Sequence, residues 1–304
     1  MFRNTFIFRG VFDKRREFDI NTPGKNTSDL IRFGTSSFSS KDWIGNFYPE
    51  GTEPSDFLRY YSEKYDTVEV DATYYKIPTR SMTESWNLKT PEGFLFSAKF
   101  PRSIVHAGEK AAPDVDKIME KEHTYYDRDK FLESMSLLGN KLGYLLIQFP
   151  YFNKKLFGSR KPFMEKLDRF LGDLPNDFRY AVEIRNRNWL KPEFAGICRQ
   201  HNAAVTLVDH AWMPHGDEME SYFDPITTDF TYIRLLGNRK EIEQITKKWD
   251  KIVIDRDDRL KRWADFIAGL IDREIFGVVY ANNHYAGNGP MTLERLRELY
   301  MGQN

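Results

Sequence analysis

The sequence predicts an α/β protein built as a single (β/α)₈ barrel of the TIM type. Eight short apolar segments alternate with stretches of helical periodicity, and this alternation is typical of a parallel barrel. Several segments end in polar residues on one alternating face, and functional groups of such barrels lie at the C-terminal ends of the strands. The predicted strands are residues 31–35, 67–71, 94–99, 143–148, 179–185, 203–209, 230–234 and 275–282.

Apolar residues at helical spacing occupy the intervals between the predicted strands. The first helix is expected to begin near residues 52–54, where a hydroxyl precedes an early proline, and to turn Phe57 and Tyr61 inward. Two long segments, 36–51 and 101–128, are expected to lie over the barrel mouth, and residues 239–256 fit a helix, a loop or both. Further helices are predicted at 81–88, 129–138, 162–171, 192–201, 258–271 and 292–300.

Length and charge indicate one domain without an overall affinity for polyanions. The barrel accounts for residues 30–304, and residues 1–29 are predicted to form an N-terminal extension, either poorly ordered or packed on the surface. An arm that binds nucleic acid or a partner is the alternative. Lys plus Arg and Asp plus Glu both number 45, so nucleic acid would need a local basic patch.

The cysteine content and the hydropathy indicate a cytoplasmic protein that does not enter a membrane. Cys198 is the single cysteine, which excludes an intrachain disulfide and fits a reducing compartment. The apolar runs are shorter than the roughly 20 residues of a membrane span. Residues 1–10 lack the apolar core of a signal peptide.

Charged side chains are expected to converge inside the barrel. Side chains alternate along a strand, so Glu69 and Asp71 are predicted to point inward while Val68 meets the helices. Isolated charges are too costly to bury, so inward charges should pair with one another or bind a charged ligand. A salt-bridged plug that stabilises the barrel is the alternative interpretation. The predicted network consists of Glu69, Asp71, Lys99, Glu183, Arg185, Asp209 and Arg234.

An ordered set of short motifs resembles the YecE-like proteins, which form domain of unknown function family 72. The resemblance covers roughly residues 31–300 and implies a TIM-like barrel, while the family has no settled activity. The motifs are Gly34-Thr35-Ser36, Lys41-Asp42-Trp43, Phe47-Tyr48-Pro49, Thr67-Val68-Glu69-Val70, Thr73-Tyr74-Tyr75, Trp86, Pro91-Glu92-Gly93-Phe94 with Lys99, Leu146-Ile147-Gln148-Phe149-Pro150, Val182-Glu183-Ile184-Arg185 with Trp189, Tyr232-Ile233-Arg234-Leu235-Leu236-Gly237 and Asn282-Asn283-His284.

Three positions depart from the pattern that this resemblance implies. Asp71 stands where the family usually has Asn, Phe38 where Trp or Tyr is common, and Leu236 where His is frequent. The carboxyl group of Asp71 adds a negative charge, which bears on any substrate inferred from relatives.

Glycoside hydrolysis and metal-dependent hydrolysis have less support than anion binding. A glycosidase needs two carboxyl groups roughly 5 to 10 Å apart, for which Glu69 and Glu183 are the natural pair. A divalent metal site would draw on His106, His210 and His284, but no His-Glu-x-x-His spacing is present. A single divalent metal stays open, and no motif for an organic cofactor is present.

Anion binding is favoured by cations inside the barrel and by the last two loops. Lys99, Arg185 and Arg234 offer donors, and barrels often hold phosphate after strands seven and eight. The loops there contain glycines at 237, 287 and 289, and the next helix would aim its N-terminus at the same place. A turn-rich loop with a satisfied His284 is the alternative.

Aromatic residues crowd the loop after the first strand. Trp43 and Tyr48 are expected to pack on the protein rather than on a ligand. Tyr74 is expected to face a ligand, because it follows directly on Glu69 and Asp71.

Together these patterns favour an enzyme that acts on a small anionic, sugar-like compound, phosphorylated or carboxylated, by acid–base chemistry. The choice between hydrolase, lyase and isomerase stays open, as does the oligomeric state. The alternatives are a nucleic-acid-binding or repair protein that uses rim residues such as Arg102, Arg160 and Lys161, and a metabolite-binding protein without catalysis. The predicted catalytic residues are Glu69, Glu183 and Asp209. The predicted substrate-binding residues are Asp71, Tyr74, Lys99, Gln148, Arg185, Arg234, Asn282, Asn283 and His284.

Overall fold

Eight parallel strands form one sheet that curls into a nearly closed barrel in the computed structural model, which describes residues 30–108 and 112–302. The predicted extension, residues 1–29, lies outside the described residues. The predicted strands are confirmed, with ends that differ by no more than three residues. They are β1 (Ile31–Thr35), β2 (Thr67–Val70), β3 (Leu95–Lys99), β4 (Leu142–Gln148), β5 (Arg179–Glu183), β6 (Ala203–His210), β7 (Phe230–Gly237) and β8 (Phe276–Ala281).

Helices pack outside the sheet, as the apolar spacing predicts. The helix predicted from residue 129 begins at Lys121, because its first two turns bury Thr124, Tyr125 and Arg128, which carry little apolar signal. No helix of the described residues is long and apolar enough to cross a membrane. The helices are α1 (Phe57–Lys64), α2 (Arg80–Leu88), α3 (Arg102–Val105), α4 (Lys121–Ser136), α5 (Lys161–Gly172), α6 (Pro192–Gln200), α7 (Gly216–Met219), α8 (Arg239–Ile245), α9 (Asp257–Asp272), α10 (Asn283–Ala286) and α11 (Gly289–Met301).

The barrel closes between β1 and β2 through a side chain. Within the described residues, no backbone ladder joins these two strands. The hydroxyl of Tyr61, on α1, accepts a hydrogen bond from the backbone N–H of Thr35 at 2.7 Å and donates one to the carbonyl of Thr67 at 3.1 Å. Gly34 permits the approach, because a Cβ there would lie 2.2 Å from the Thr67 carbonyl oxygen. We call this junction the β1–β2 seam.

The inside of the barrel is a small core, separate from the larger core between strands and helices. Its tyrosines are hydrogen-bonded: the hydroxyl of Tyr280 lies 2.6 Å from that of Thr67 and 2.8 Å from that of Ser97. This core supports the polar side chains that follow it at the C-terminal ends of the strands. Its members are Tyr144, Leu146, Ala181, Ala204, Phe230, Tyr232, Val278 and Tyr280.

Candidate functional site

A buried arginine joins two buried carboxylates at the end of the barrel core. The Nη2 atom of Arg234, on β7, donates to Oε1 of Glu69 at 2.8 Å, and its Nη1 atom donates to Oε2 of Glu183 at 2.6 Å. The side chains of all three residues are almost completely buried. We call Arg234, Glu69 and Glu183 the inner triad.

Neutral side chains complete the hydrogen bonding of the inner triad. The Tyr232 hydroxyl, one inward position before Arg234 on β7, donates to Oε2 of Glu69 at 2.6 Å. Gln148, at the end of β4, accepts from Nη1 of Arg234 through Oε1 at 3.0 Å. A buried ion pair needs such additional bonds to offset the loss of hydration.

Three more charged residues lie between the inner triad and solvent. The Nε atom of Arg185 lies 2.6 Å from Oε1 of Glu183, and Nζ of Lys99 lies 2.8 Å from Oδ1 of Asp71. Asp71 opens a short 3-10 helix directly after β2, rather than ending the strand as predicted, and 30% of its side chain is exposed. We call Lys99, Arg185 and Asp71 the outer group.

The carboxyl groups of the two levels differ in acidity. Burial raises the pKa of Glu69, but Arg234 and Lys99 outweigh it and lower that pKa to about 2. The pKa of Glu183 is likewise lowered, because Arg185 and Arg234 outweigh burial. Burial and the negative charge of Glu69 raise the pKa of Asp71 to about 6 in spite of Lys99. Of these three carboxyl groups, Asp71 is therefore the one that changes protonation near neutral pH.

His210, which the sequence offers only as a candidate metal ligand, lies at the C-terminal end of β6 near Arg185. Its pKa is lowered to about 4 by burial and by the positive charge of Arg185, so its imidazole is neutral at pH 7. The backbone N–H of Trp212 faces its Nδ1 atom at 3.5 Å. The pairing register with β7 shifts between Asp209 and His210. The sequence does indicate this position, because His210 follows the inward-facing Thr206 on the same strand at an even spacing and therefore shares its face.

Asp209 is not part of the network, and this prediction is wrong. Thr206 pairs with Tyr232 and Val208 with Arg234, so these positions of β6 face inward and Asp209 faces the helices. There it accepts hydrogen bonds from Nε of Arg259 at 3.0 Å, Nε1 of Trp263 at 2.8 Å and the hydroxyl of Tyr285 at 2.8 Å.

The residues predicted after β8 bond to their own loop and to the neighbouring loop after β1 and helix α8. Asn282 caps α10 by accepting from the backbone N–H of His284 at 2.9 Å. Asn283 accepts from Nε1 of Trp43 at 3.1 Å and from the backbone N–H of Gly289 at 2.9 Å. The Nε2 atom of His284 lies 3.3 Å from Oε1 of Glu243.

The N-terminus of α11, where we expected an anion, is filled by the chain itself. The backbone N–H of Gly289 bonds to Asn283, Pro290 has no N–H, and the N–H of Met291 bonds to Oδ1 of Asn288 at 2.9 Å. A helix terminus binds anions through unsatisfied N–H groups. Support for anion binding therefore comes from the cations of the mouth and not from the N-terminus of α11.

The aromatic residues after β1 and β2 differ in burial. Trp43 and Tyr48 are buried, and the ring of Tyr48 stacks on Phe57 at 4.3 Å, so their packing role is confirmed. Tyr74 is half-buried with its ring 5.2 Å from that of Tyr75, and its contact with a ligand stays a prediction.

The histidines considered as metal ligands have separate surroundings. His106 accepts from the backbone N–H of Gly108 through Nδ1, whereas His210 lies near Arg185 and His284 beside Glu243. In residues 30–108 and 112–302, no group of three His, Cys, Asp or Glu side chains could hold a metal ion.

Comparison with curated proteins identifies relatives that share part of this chain. It is 29% identical over 166 residues to UPF0759 protein YunF of Bacillus subtilis strain 168, which covers 54% of each protein. It is 30% identical over 129 residues to UPF0759 protein YecE of Escherichia coli K12, which covers 42% of this chain and 41% of that protein. The chain thus spans about half the length, or less, of the curated relatives it matches.

Solved structures extend the similarity to nearly the whole chain. A DUF72 family protein of Thermotoga maritima MSB8 has a TM-score of 0.64 at 27% identity, covering 90% of this chain and 100% of that one. A DUF72 family protein of Enterococcus faecalis V583 has a TM-score of 0.64 at 21% identity, covering 90% and 96%, which shows a shared fold. The model of the family described as "Protein of unknown function DUF72" matches residues 32–304. The predicted resemblance is confirmed, and the chain belongs to the DUF72 family.

Proposed function

We propose that the barrel mouth binds a small anionic molecule through Lys99 and Arg185, and that Asp71 transfers a proton to or from it. The observation that carries this proposal is the outer group: two cations beside a partly exposed carboxyl group whose pKa is raised to about 6. A proton-transfer group works best when its pKa lies near the ambient pH. A pKa perturbed by burial and by a specific charged neighbour also favours a functional role.

The inner triad serves this site by positioning its cations. Glu183 bonds to Arg234 through one oxygen and contacts Arg185 through the other, so it fixes Arg185 at the edge of the mouth. A carboxyl group with a lowered pKa is a poor proton donor at neutral pH. We therefore assign a positioning role to Glu69 and Glu183, and we assign the acid–base role that the sequence predicts for them to Asp71.

The acidity of Glu69 and Glu183 does not suit glycoside hydrolysis. That reaction needs a general acid with a raised pKa opposite an ionised carboxylate. Arg234 lowers the pKa of both Glu69 and Glu183, so this pair lacks the acid.

Asp71 and a bound anion would compete for Lys99. The ionised carboxylate of Asp71 neutralises Lys99, whereas its protonated form leaves the ammonium group to a ligand. His210, neutral near pH 7, adds a hydrogen-bonding group of the type that orients a polar substrate without adding charge. An anionic ligand should therefore bind more tightly below pH 6 than above pH 7.

Thermal unfolding with a panel of ligands tests the binding step. The panel contains inorganic phosphate, phosphorylated sugars, nucleotides and sugar acids, each with and without a divalent metal. Ligand at 100 times its dissociation constant should add about 2.7 kcal/mol of stability. We expect a stabilising anion whose effect is lost in Lys99→Met and in Arg185→Gln, and kept in the control Lys64→Met, an exposed lysine at the C-terminal end of α1. A panel without any stabilising anion would refute the proposal.

Turnover of the stabilising compound tests the second step. Product formation is followed by NMR in the wild type and in Asp71→Asn, which preserves shape and removes the titrating group. We expect Asp71→Asn to bind the anion at least as tightly, because the competing carboxylate is gone, and to lose turnover. Binding without turnover in the wild type would identify a metabolite-binding protein instead.

A further inference from the structure

We propose that three consecutive loops of the mouth form a docking surface for single-stranded nucleic acid. This surface, the basic–aromatic rim, consists of Tyr151, Lys154, Lys155, Arg187, Trp212 and Tyr222. It lies on the loops after β4, β5 and β6, which are neighbours in the sheet. The proposal does not rest on the chemistry assigned to Asp71.

The loops after β4 and β5 carry the positive charge of this surface. Residues 149–160 and 184–191 contain six Lys and Arg residues and no Asp or Glu, in a chain whose charges balance. The connection after β6, residues 211–229, has five Asp and Glu residues and no Lys or Arg, so it contributes rings rather than cations, and Arg262 pairs with its Asp217 and Glu218. Lys154 and Lys155 are exposed, and within the described part of the chain neither has an ion-pair partner. Clustered cations that are not neutralised internally are the electrostatic signature of a polyanion site.

Large aromatic side chains stand out of the same loops. Tyr151 is 64% exposed and Trp212 is 62% exposed, and Tyr222 follows on the connection after β6. Exposed rings beside cations are how proteins hold single strands, because each base can stack on an aromatic face and each phosphate can meet a cation.

The rim is fixed by contacts between its loops. The side chain of Asn186 accepts from the backbone N–H of Phe152 at 2.9 Å and donates to its carbonyl at 2.7 Å. The buried ring of Phe152, next to the exposed Tyr151 in sequence, stacks on Trp189 at 5.8 Å. These hydrogen bonds hold the loop after β4 to the loop after β5. Binding of a ligand would therefore cost little conformational entropy for ordering the two loops.

A further bond links the β5 loop to the connection after β6. The Nη2 atom of Arg187 donates to the Tyr222 hydroxyl at 3.2 Å. Trp212 is held from below by His210, whose ring lies 4.8 Å from its own. The loops after β4 and β5 thus present Tyr151 and the cations, and the connection after β6 adds the rings of Trp212 and Tyr222.

The combination favours a single strand over other ligands. A neutral oligosaccharide would use the rings and leave the cations without a partner. A duplex would offer phosphates but keep its bases stacked inside, away from the rings. A single strand offers both phosphates and unpaired bases, so it can engage the cations as well as the rings of the rim.

Fluorescence anisotropy with labelled 20-nucleotide strands tests the proposal. The probes are oligo(dT), oligo(rU) and a 20-base-pair duplex, titrated with full-length protein at 25 to 300 mM NaCl. We expect either single strand to bind more tightly than the duplex. The double variant Lys154→Ala, Lys155→Ala should reduce the slope of log K against log salt by about 0.7 per lysine. Tyr151→Ala and Trp212→Ala should each weaken binding by about 5- to 150-fold.

The chain offers a matched control on its outer wall. On α4, Tyr126 is 72% exposed with Nζ of Lys130 4.3 Å from its ring centre, so it has the same chemistry away from the mouth. Tyr126→Ala with Lys130→Ala should leave binding unchanged. Equal losses in the control and rim variants, equal affinity for the duplex, or no binding of either strand at 25 mM NaCl would each overturn the proposal.

Discussion

The Nζ atom of Lys99 and the Oδ1 atom of Asp71 lie 2.8 Å apart, yet the pKa of Asp71 is raised to about 6. An adjacent cation normally lowers the pKa of a carboxyl group. Here burial and the charge of Glu69 outweigh it, because Glu69 holds the stronger position on Arg234. The ion pair is therefore formed at a net cost that depends on pH.

Asp71→Asn should remove a pH dependence of stability. Because the folded pKa lies above the ordinary value of 3.8, the contribution of Asp71 is fully present below pH 3.8 and is lost as pH rises through about 6. Relative to Asp71→Asn, the wild type should lose about 1 to 3 kcal/mol of unfolding free energy between pH 4 and pH 7. Urea unfolding of both proteins at four pH values measures this difference. A difference that is constant with pH would contradict the raised pKa.

Arg234→Met should be strongly destabilising on its own. It leaves the carboxylates of Glu69 and Glu183 buried without their cation, which costs about 3 to 5 kcal/mol. Adding Glu69→Gln and Glu183→Gln should restore most of that loss, because the uncompensated charges disappear. Urea unfolding compares the single and triple variants, with Lys161→Met as an exposed control. If the triple variant were no more stable than Arg234→Met, charge would not be the cause.

Asp209→Ala should reduce stability without affecting anion binding at the mouth. It removes the acceptor of Arg259, Trp263 and Tyr285, so we expect a loss of about 2 to 5 kcal/mol at pH 7. Asp258→Ala, an exposed neighbour on α9, should change stability by less than about 0.5 kcal/mol. Affinity for an anion found with the wild type should be unchanged at 15 °C. A selective loss of that affinity would return Asp209 to the site.

Tyr61→Phe should loosen the β1–β2 seam. The variant keeps the ring but leaves the buried N–H of Thr35 and carbonyl of Thr67 without their bridge, which costs about 1 to 3 kcal/mol. Hydrogen exchange at the Thr35 amide should accelerate, while the neighbouring Tyr60→Phe should leave it unchanged. Equal protection in both variants would show that the hydroxyl does not bridge the strands.

Alternation along a strand is sufficient to predict the inner triad. In β2 the polar residues Thr67 and Glu69 alternate with valines, and in β5 and β7 the charged residue lies on the face opposite Val182 or Ile233, so Glu69, Glu183 and Arg234 are expected to point inward. It fails in β6, because Ala203 to Val208 are apolar or small on both faces and do not show which face Asp209 shares. The register with β7 decides that, and register is a tertiary property.

The partners within the site could not be predicted from alternation. Which carboxylates share Arg234 depends on the width of the barrel and on side-chain rotamers. The filling of the α11 terminus by Asn283 and Asn288 depends on a loop conformation that no spacing encodes. The sequence thus indicates that charges converge inside the barrel, while their pairing and the acidity of each follow from the packed geometry.

Because β1 and β2 share no backbone ladder across the β1–β2 seam, the first strand cannot pair while the chain is still being synthesised. The ladder of β1 runs to β8, from Ile31 opposite Gly277 to Thr35 opposite Ala281, and not to its neighbour in sequence. On the ribosome, the first strand therefore has no strand partner until the last one has emerged. Contacts of such long sequence separation form late and slowly. A nascent chain that stalls before β8 would expose unpaired edges of both β1 and β7, and these edges are where a chaperone or another chain would bind.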